Sequence, residues 1–242
     1  MNGLFIFLGE SFRWGPQLTR VRGIPKTKKG QIEAADSHVR FIDHIKEKYN
    51  MNKTDVFVSS YHTVFNNDLT TVYGDKLIGS VFLKKLVGLN GLFTETLKHI
   101  KNIEQYDFVF YIRVDIFLKE YLFEIFEPKL DVIQVPCLTW WLHHRWKGYP
   151  RVSDMMLYIP KKFFNHINRI TICHETWYLM ASRWKLVDKF DFDVMINTYH
   201  DSNTSKDKNP LYYIVNRFQK KVTFSEGHFF DKYTFLYQEN KK

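Results

Sequence analysis

The sequence has few cysteines and no long apolar run, and both absences exclude classes of protein. Only Cys137 and Cys173 occur among the 242 residues, so we expect no disulfide framework. The apolar run from Leu4 to Leu8 is far shorter than the roughly 20 residues that a transmembrane helix needs. The same run lacks the basic flank and cleavage site of a signal peptide. We therefore expect a cytoplasmic protein without a transmembrane segment.

The sequence has fewer acidic residues than basic ones, and it is rich in aromatic residues. The chain has 35 Lys and Arg against 26 Asp and Glu, a formal charge of +9, and Phe, Trp and Tyr make up 17% of it. Cations that hold phosphates and rings that stack on bases are typical of nucleic-acid-binding proteins. The same two ingredients also suit a pocket for a nucleotide diphosphate and its sugar. The positions of these residues along the chain must decide between the two.

Several enzyme and nucleic-acid motifs are missing. The sequence contains no Walker motif, no Gly-x-Gly-x-x-Gly, no Gly-x-Ser-x-Gly and no His-Glu-x-x-His. It also has no RNP-type, KH or helix-turn-helix pattern, and its basic residues are dispersed. A nucleic-acid partner is therefore not expected, although a basic, non-catalytic nucleic-acid-binding protein remains the alternative of a different class.

Apolar strands alternate with helices in the first half of the chain. Strands are predicted at 4–8, 55–60 and 108–118, and a helix is predicted from apolar residues at three- and four-residue steps: Ile32, Ala35, Val39, Ile42 and Ile45. Residues 66–74 are predicted to form a loop, residues 80–100 one or two helices, and residues 211–218 a helical segment. The pattern predicts one α/β domain over residues 1–242, with a mostly parallel central sheet flanked by helices.

Ligands of such sheets bind beyond the carboxyl ends of the strands. This rule points to Gly9 and Arg13 after the first strand and to Tyr61 after the second. Gly9 permits close approach of the backbone, Arg13 is placed to reach a phosphate or a base, and Tyr61 to stack on a base. The alternatives are an ordinary turn with a solvated arginine, and a core or surface tyrosine.

Two charged residues lie within the apolar segment at 108–118. Arg113 and Asp115 are two residues apart, so on a strand they would point to the same face. Because burying charges is costly unless they are paired or bind a charged group, the segment is either a structural ion pair or a ligand site. A carboxylate at this position is suited to hold a divalent ion together with substrate phosphates.

The stretch from Tyr106 to Asp115 resembles the central strand of GT-A-type glycosyltransferases, a nucleotide-sugar-dependent class. Small enzymes of large DNA viruses and bacterial polysaccharide loci look similar in this stretch. The family ends this strand in Asp-x-Asp, which holds a metal and the donor diphosphate, whereas this chain has Arg-x-Asp. The resemblance implies Mn²⁺ or Mg²⁺ with Asp115 as the ligand. Arg113 replaces one carboxylate, which puts metal dependence in doubt and favours a direct contact with the diphosphate.

The resemblance also suggests residues for the acceptor side. Asp154 opens a predicted strand where acceptor-binding residues often lie, and Glu175 stands at a predicted helix start where inverting members carry the catalytic base. A capping aspartate and a glutamate favoured by the helix dipole are the alternatives. Acceptor contacts are predicted in a loop dense in Trp and His: Trp140, Trp141, His143 and His144. Plain packing is the alternative for this loop; a zinc site is disfavoured because His143 and His144 are adjacent and have no paired Cys at ligand spacing.

Together with these residues, the resemblance to the GT-A family implies a hexosyl- or pentosyltransferase with one Rossmann-like GT-A domain. It would move a sugar from a nucleotide diphosphate sugar to a hydroxyl group of a glycan or glycoprotein acceptor. The donor-binding residues would be Gly9, Arg13, Tyr61, Arg113 and Asp115, and the base would be Glu175 or Asp154. A catalytically inactive relative that binds sugar nucleotides is a further alternative.

Overall fold

The computed structural model describes residues 1–14, 21–135, 138–140, 150–152, 156–167, 194–196 and 212–214. Among these residues, no helix is long and apolar enough to cross a membrane. In chain order, the elements are β1 (Asn2–Leu8), β2 (Arg13–Trp14), β3 (Val21–Arg22), α1 (Lys28–Lys48), β4 (Lys53–Tyr61), α2 (Asn66–Tyr73), β5 (Leu77–Leu83), α3 (Gly88–His99), β6 (Phe108–Arg113), β7 (Ile116–Leu118), α4 (Glu120–Ile125), β8 (Ile133–Val135), β9 (Leu138–Trp140), β10 (Pro150–Val152), β11 (Met156–Pro160), β12 (Val194–Ile196) and β13 (Tyr212–Ile214).

A seven-stranded sheet forms the centre of the molecule, in the order β12-β8-β11-β6-β1-β4-β5. Neighbouring strands are parallel except at β11, which runs antiparallel to both β6 and β8. Strand β1 lies between β4 and β6, so three parallel strands end side by side at one edge. The predicted α/β fold with a mostly parallel central sheet is confirmed.

Side chains on the two faces of β1 enter two separate cores. Phe5 and Phe7 pack on the face covered by α1, whereas Leu4, Ile6 and Leu8 pack on the face that contains residues of α3. Alternation of side chains along a strand gives this division, and burial of both faces explains the continuous apolar sequence of β1.

Much of the aromatic content serves this packing. The ring of Phe110 stacks on that of Phe126 with centroids 4.8 Å apart, and Phe5 meets Phe41 edge to face at 6.3 Å. All four side chains are buried. Large rings in offset or edge-to-face contact stabilise a core beyond the area that they bury. For these residues, the aromatic excess reflects core packing and not a surface for stacking on bases.

Three predicted segments differ from the structure. The sequence predicts a loop at 66–74, but Leu69 and Tyr73 are buried one helical turn apart and α2 forms there. Part of the predicted helical region at 80–100 is the parallel strand β5, which pairs with β4. Within 211–218, predicted as helical, Tyr212–Ile214 forms strand β13 against β7. In all three cases a tertiary partner overrides the local pattern.

Candidate functional site

The carboxyl ends of β1, β4 and β6 meet at one edge of the sheet. Leu8 at the end of β1 is in register with Ser59 on one side and Arg113 on the other. The backbone amide of Gly9 then donates to the carbonyl of Ser59 (3.1 Å), and that of Val114 donates to the carbonyl of Leu8 (2.9 Å). These bonds extend the pairing of β1 with β4 and β6 to the carboxyl end of β1, at the edge where ligands of such sheets bind.

Asp115 is the centre of this edge and is bound by two arginines. Arg113 donates from Nε to Oδ1 (2.9 Å) and from Nη2 to Oδ2 (2.7 Å), while Arg13 Nη2 lies 2.5 Å from Oδ2. The Asp115 side chain is fully buried, and the side chains of Arg113 and Arg13 are 12% and 13% exposed. Strand β6 ends at Arg113, so the ion pair forms across a turn and not along one continuous strand as predicted.

Asp115 stays ionised in this environment. Burial by itself would raise the pKa of its carboxyl group, but the guanidinium groups of Arg113 and Arg13 outweigh burial and lower the pKa to about 2. At neutral pH the cluster therefore holds one negative charge between two positive ones.

The loop after β1 is anchored by two serines. Ser11 donates from its backbone amide to Ser60 Oγ (2.9 Å), and the two hydroxyl oxygens lie 2.7 Å apart. Gly9 has a φ of +135°, a conformation that side-chain-bearing residues rarely adopt. The turn that leads to Arg13 therefore favours glycine at position 9.

Gln31 of α1 connects this loop to the turn after β6. Its Oε1 accepts from the backbone amide of Phe12 (3.1 Å), and its Nε2 donates to the carbonyl of Val114 (2.6 Å). The side chain is fully buried. A buried amide with both ends bonded fixes the distance between the segments that carry Arg13 and Asp115.

A short hairpin places a third arginine at the same edge. Arg13 of β2 and Arg22 of β3 are antiparallel partners, and the amide of Gly23 donates to the carbonyl of Phe12 (2.9 Å). Partners directly opposite in an antiparallel pair project to the same face. The Arg22 guanidinium lies over the ring of Tyr61, 5.0 Å from its centroid.

Tyr61 is part of the core beneath this hairpin. It is 3% exposed, and its hydroxyl group lies 3.3 Å from the carbonyl of Gly88 and 3.4 Å from the amide of Val87. Burial is the main reason that the pKa of Tyr61 is raised. Arg22 covers a face of the ring, so stacking of Tyr61 on a base, as predicted, would require Arg22 to share or leave that face.

The structure thus brings together five predicted donor-site residues: Gly9, Arg13, Tyr61, Arg113 and Asp115. Arg22 and Gln31 were missed by sequence reasoning. Arg22 could have been found because it lies in a basic loop after the first strand. Gln31 lies beside the predicted apolar stripe, and nothing in the sequence pointed to it.

Trp140 ends β9, which pairs with β10. The other predicted acceptor-side and catalytic residues lie outside the described part of the chain: Asp154, Glu175, Trp141, His143 and His144.

The carboxylate of Asp115 does not fit the role of a divalent metal ligand. Both of its oxygens accept from guanidinium groups, and the side chain has no exposed surface. A magnesium or manganese ion would have to displace one of these groups to reach it. Within the described ranges, no group of three or more His, Cys, Asp or Glu side chains is arranged to hold a metal.

No protein-family model matches the sequence, and no curated protein matches it either. Solved structures similar to this chain include the catalytic domain of Drosophila β1,4-galactosyltransferase 7 in complex with xylobiose. That match has 9% identity and a TM-score of 0.46, and covers 97% of this chain and 79% of the other. A mutant of the same enzyme is in complex with manganese, UDP-Gal and xylobiose.

Two further similar structures come from other transferases. A putative glucose-1-phosphate thymidylyltransferase from Bacillus anthracis has 12% identity and a TM-score of 0.43, over 84% of this chain and 87% of its own. The galactosyltransferase LgtC, in complex with donor and acceptor sugar analogs, has 13% identity and a TM-score of 0.37, over 81% of this chain and 66% of its own. In each case the likeness concerns the fold alone.

Proposed function

We propose that the protein is a glycosyltransferase that takes a nucleotide diphosphate sugar as donor and a hydroxyl group of a glycan as acceptor. The observation that carries the proposal is the buried cluster of Arg13, Arg113 and Asp115 at the carboxyl edge of the parallel sheet. Ligands of such sheets bind at this edge, and paired guanidinium groups suit phosphate oxygens.

In the proposed reaction, the bond between the anomeric carbon of the sugar and the diphosphate oxygen breaks. Its electron pair leaves with the diphosphate, and the acceptor oxygen forms the new bond to the same carbon. Negative charge builds up on the leaving diphosphate, where Arg13 and Arg113 stand at a fixed position. Groups preorganised toward developing charge lower the barrier without reorganising during the reaction.

The acceptor hydroxyl must lose its proton as the new bond forms. If configuration is inverted, we assign this step to the carboxylate of Glu175 or Asp154, as the resemblance implies, because a general base takes the proton in the transition state. The acceptor-binding role of Trp140, Trp141, His143 and His144 is part of the same proposal. An aromatic side chain offers a flat apolar face to a sugar ring.

Nucleotide binding is the first test of this proposal. At a ligand concentration of about 100 times Kd, we expect UDP or GDP, or the corresponding sugar nucleotides, to raise Tm by about 5–10 °C. Differential scanning fluorimetry with a panel of nucleotides and sugar nucleotides measures this shift. Stabilisation by oligonucleotides alone, with a steep dependence on salt, would instead favour a nucleic-acid-binding protein.

The base assignment is tested by Glu175→Gln. We expect this variant to keep the affinity for the donor nucleotide and to lose sugar transfer by about 100-fold or more, because a positioned base contributes about that factor. Calorimetry measures donor binding, and a transfer assay with radiolabelled donor measures turnover. Asp154→Asn is the matched comparison, since the two carboxylates compete for the same role. An equal loss of donor affinity in Glu175→Gln would contradict the assignment.

A further inference from the structure

We infer that this site uses guanidinium groups in place of a divalent cation to hold the donor diphosphate, and that Arg22 is one of them. The inference rests on the proposed function, because it concerns the same donor. It departs from the Mn²⁺ or Mg²⁺ that the family resemblance implies, and it predicts nucleotide binding that does not depend on metal.

The first observation is that the position of the metal-binding carboxylate is already taken. Arg113 engages both oxygens of Asp115, and Arg13 engages one of them. Asp115 thereby acts as an internal counterion that fixes two guanidinium groups at the strand edge. An arginine fork is planar and matches phosphate oxygens in pairs, so groups held in this way can do what a metal does for a diphosphate.

The second observation is that two arginines of the hairpin, Arg13 and Arg22, lie opposite each other, and an anion bound between them would reduce their repulsion. Arg13 and Arg22 face each other across β2 and β3, and like charges directly opposite in a strand pair are destabilising. Of these two, Asp115 neutralises Arg13. The Nη1 atom of Arg22 is buried and has no hydrogen-bond partner within the described part of the chain. A buried N–H group without a hydrogen-bond partner is costly, and a phosphate oxygen bound at this position would accept its hydrogen bond.

The third observation is the charge balance. Three guanidinium groups, from Arg13, Arg22 and Arg113, stand against two carboxylates, from Asp115 and Glu10. Glu10 directly follows Gly9 at the end of β1; burial is the main cause of the raised pKa of Tyr61, and the charge of Glu10 raises this pKa further whereas that of Arg22 lowers it. Among the described residues at this edge, these guanidinium groups therefore exceed the carboxylates by one positive charge. A diphosphate would neutralise that excess.

The fourth observation is the position of the hairpin. Arg22 lies over Tyr61 at the end of β4, and Arg13 reaches Asp115 just beyond the end of β6. Strand β1 lies between these two strands. The hairpin thus crosses the carboxyl ends of all three, with one guanidinium on each side of the β1 terminus. A diphosphate placed over Gly9 would have an arginine at either end.

Calorimetric titration of UDP and GDP into the full chain tests the inference, once with excess EDTA and once with excess Mn²⁺. We expect the Kd in the two solutions to agree within about twofold. Arg22→Gln removes a guanidinium group that lies outside the Asp115 ion pair, and we expect it to weaken binding by about 10-fold or more in both solutions. Its Tm without ligand should match that of the wild type, because Arg22 is not part of that buried ion pair.

Arg40→Gln is the matched control. Arg40 lies on α1 and pairs at 3.9 Å with Glu120 in an exposed position, so its loss should leave nucleotide binding unchanged. Nucleotide binding that appears only with Mn²⁺ would overturn the inference and leave the proposed function intact. Wild-type affinity in Arg22→Gln would remove Arg22 from the site. Absence of binding in both solutions would overturn the proposed function itself.

Discussion

We expect Asp115→Asn to lower the free energy of unfolding at neutral pH by about 3–5 kcal/mol, because removal of one member of a buried ion pair leaves its partners uncompensated. The substituted side chain would be the same size but neutral, and its amide hydrogens would face guanidinium groups that have no atom to accept them. Arg13 and Arg113 are 13% and 12% exposed, so water can compensate them only in part. Urea denaturation at neutral pH measures the loss.

Asp43→Asn is the control for this substitution. Asp43 pairs with Lys76 at 3.0 Å, but its side chain is 53% exposed, and an exposed pair contributes at most about 1 kcal/mol. An equal loss of free energy of unfolding in the two variants would contradict the central role of Asp115.

We also expect the affinity for nucleotides to fall in Asp115→Asn, because the two guanidinium groups lose the carboxylate that positions them.

The pH dependence of the same variant has a defined sign. The pKa of Asp115 is lowered from 3.8 to about 2. The stabilisation is therefore fully present above pH 3.8 and is lost as the pH falls through about 2. The difference between the wild type and Asp115→Asn should accordingly be constant near neutrality and shrink in strong acid.

The second large effect concerns the buried His38. We expect it to lower the free energy of unfolding in acid, beginning at a higher pH than the loss due to Asp115. Burial lowers its pKa from 6.5 to about 3, although the carbonyl of Ile116 and the charge of Asp115 act in the opposite direction. Below pH 6.5 the unfolded chain binds a proton that the folded chain does not. The free energy of unfolding should then fall by about 1.4 kcal/mol per pH unit from this residue alone, until about pH 3.

The neutral imidazole fits its surroundings closely. Its Nε2 lies 2.7 Å from the carbonyl of Ile116, its Nδ1 lies 2.9 Å from the hydroxyl of Tyr73, and its ring stacks on Phe7 at 4.1 Å. Protonation would put a second hydrogen where the Tyr73 hydroxyl donates. We therefore expect His38→Gln to be less stable at pH 7 but to lose stability less steeply in acid.

Unfolding curves at several pH values between 4 and 7 test this expectation (roughly the window in which a lowered histidine pKa acts). His62→Gln is the control, because it makes the same exchange at an exposed histidine. A slope in His38→Gln equal to that of the wild type would show that the acid sensitivity resides elsewhere.

Helix α1 shows that periodicity predicts the helix but not all of its buried side chains. Apolar spacing correctly predicted the helix, and three residues of its stripe are fully buried: Ala35, Ile42 and Ile45. The other two, Ile32 and Val39, are only partly buried, whereas the polar neighbours Gln31 and His38 are fully buried. Periodicity assigns apolar side chains to the core, and it cannot foresee a polar side chain whose partners lie on distant strands.

What the sequence by itself determined is the sheet edge and the residue types at it. Short runs rich in apolar residues made β1, β4 and β6 recognisable, and the ends of these strands placed Gly9, Tyr61 and Arg113 at one edge of the sheet. Local patterns suffice for this because strand burial and chain alternation are properties of neighbouring residues.

Only the tertiary structure decided how the charges are used. Arg13 and Asp115 are far apart in sequence yet meet at 2.5 Å, because β1 lies beside β6 and Gln31 ties the two following segments together. The predicted metal ligand is thereby engaged by two arginines, and Arg22 joins them through hairpin pairing. Contacts between residues distant in the chain depend on strand order and register, which a single sequence does not reveal.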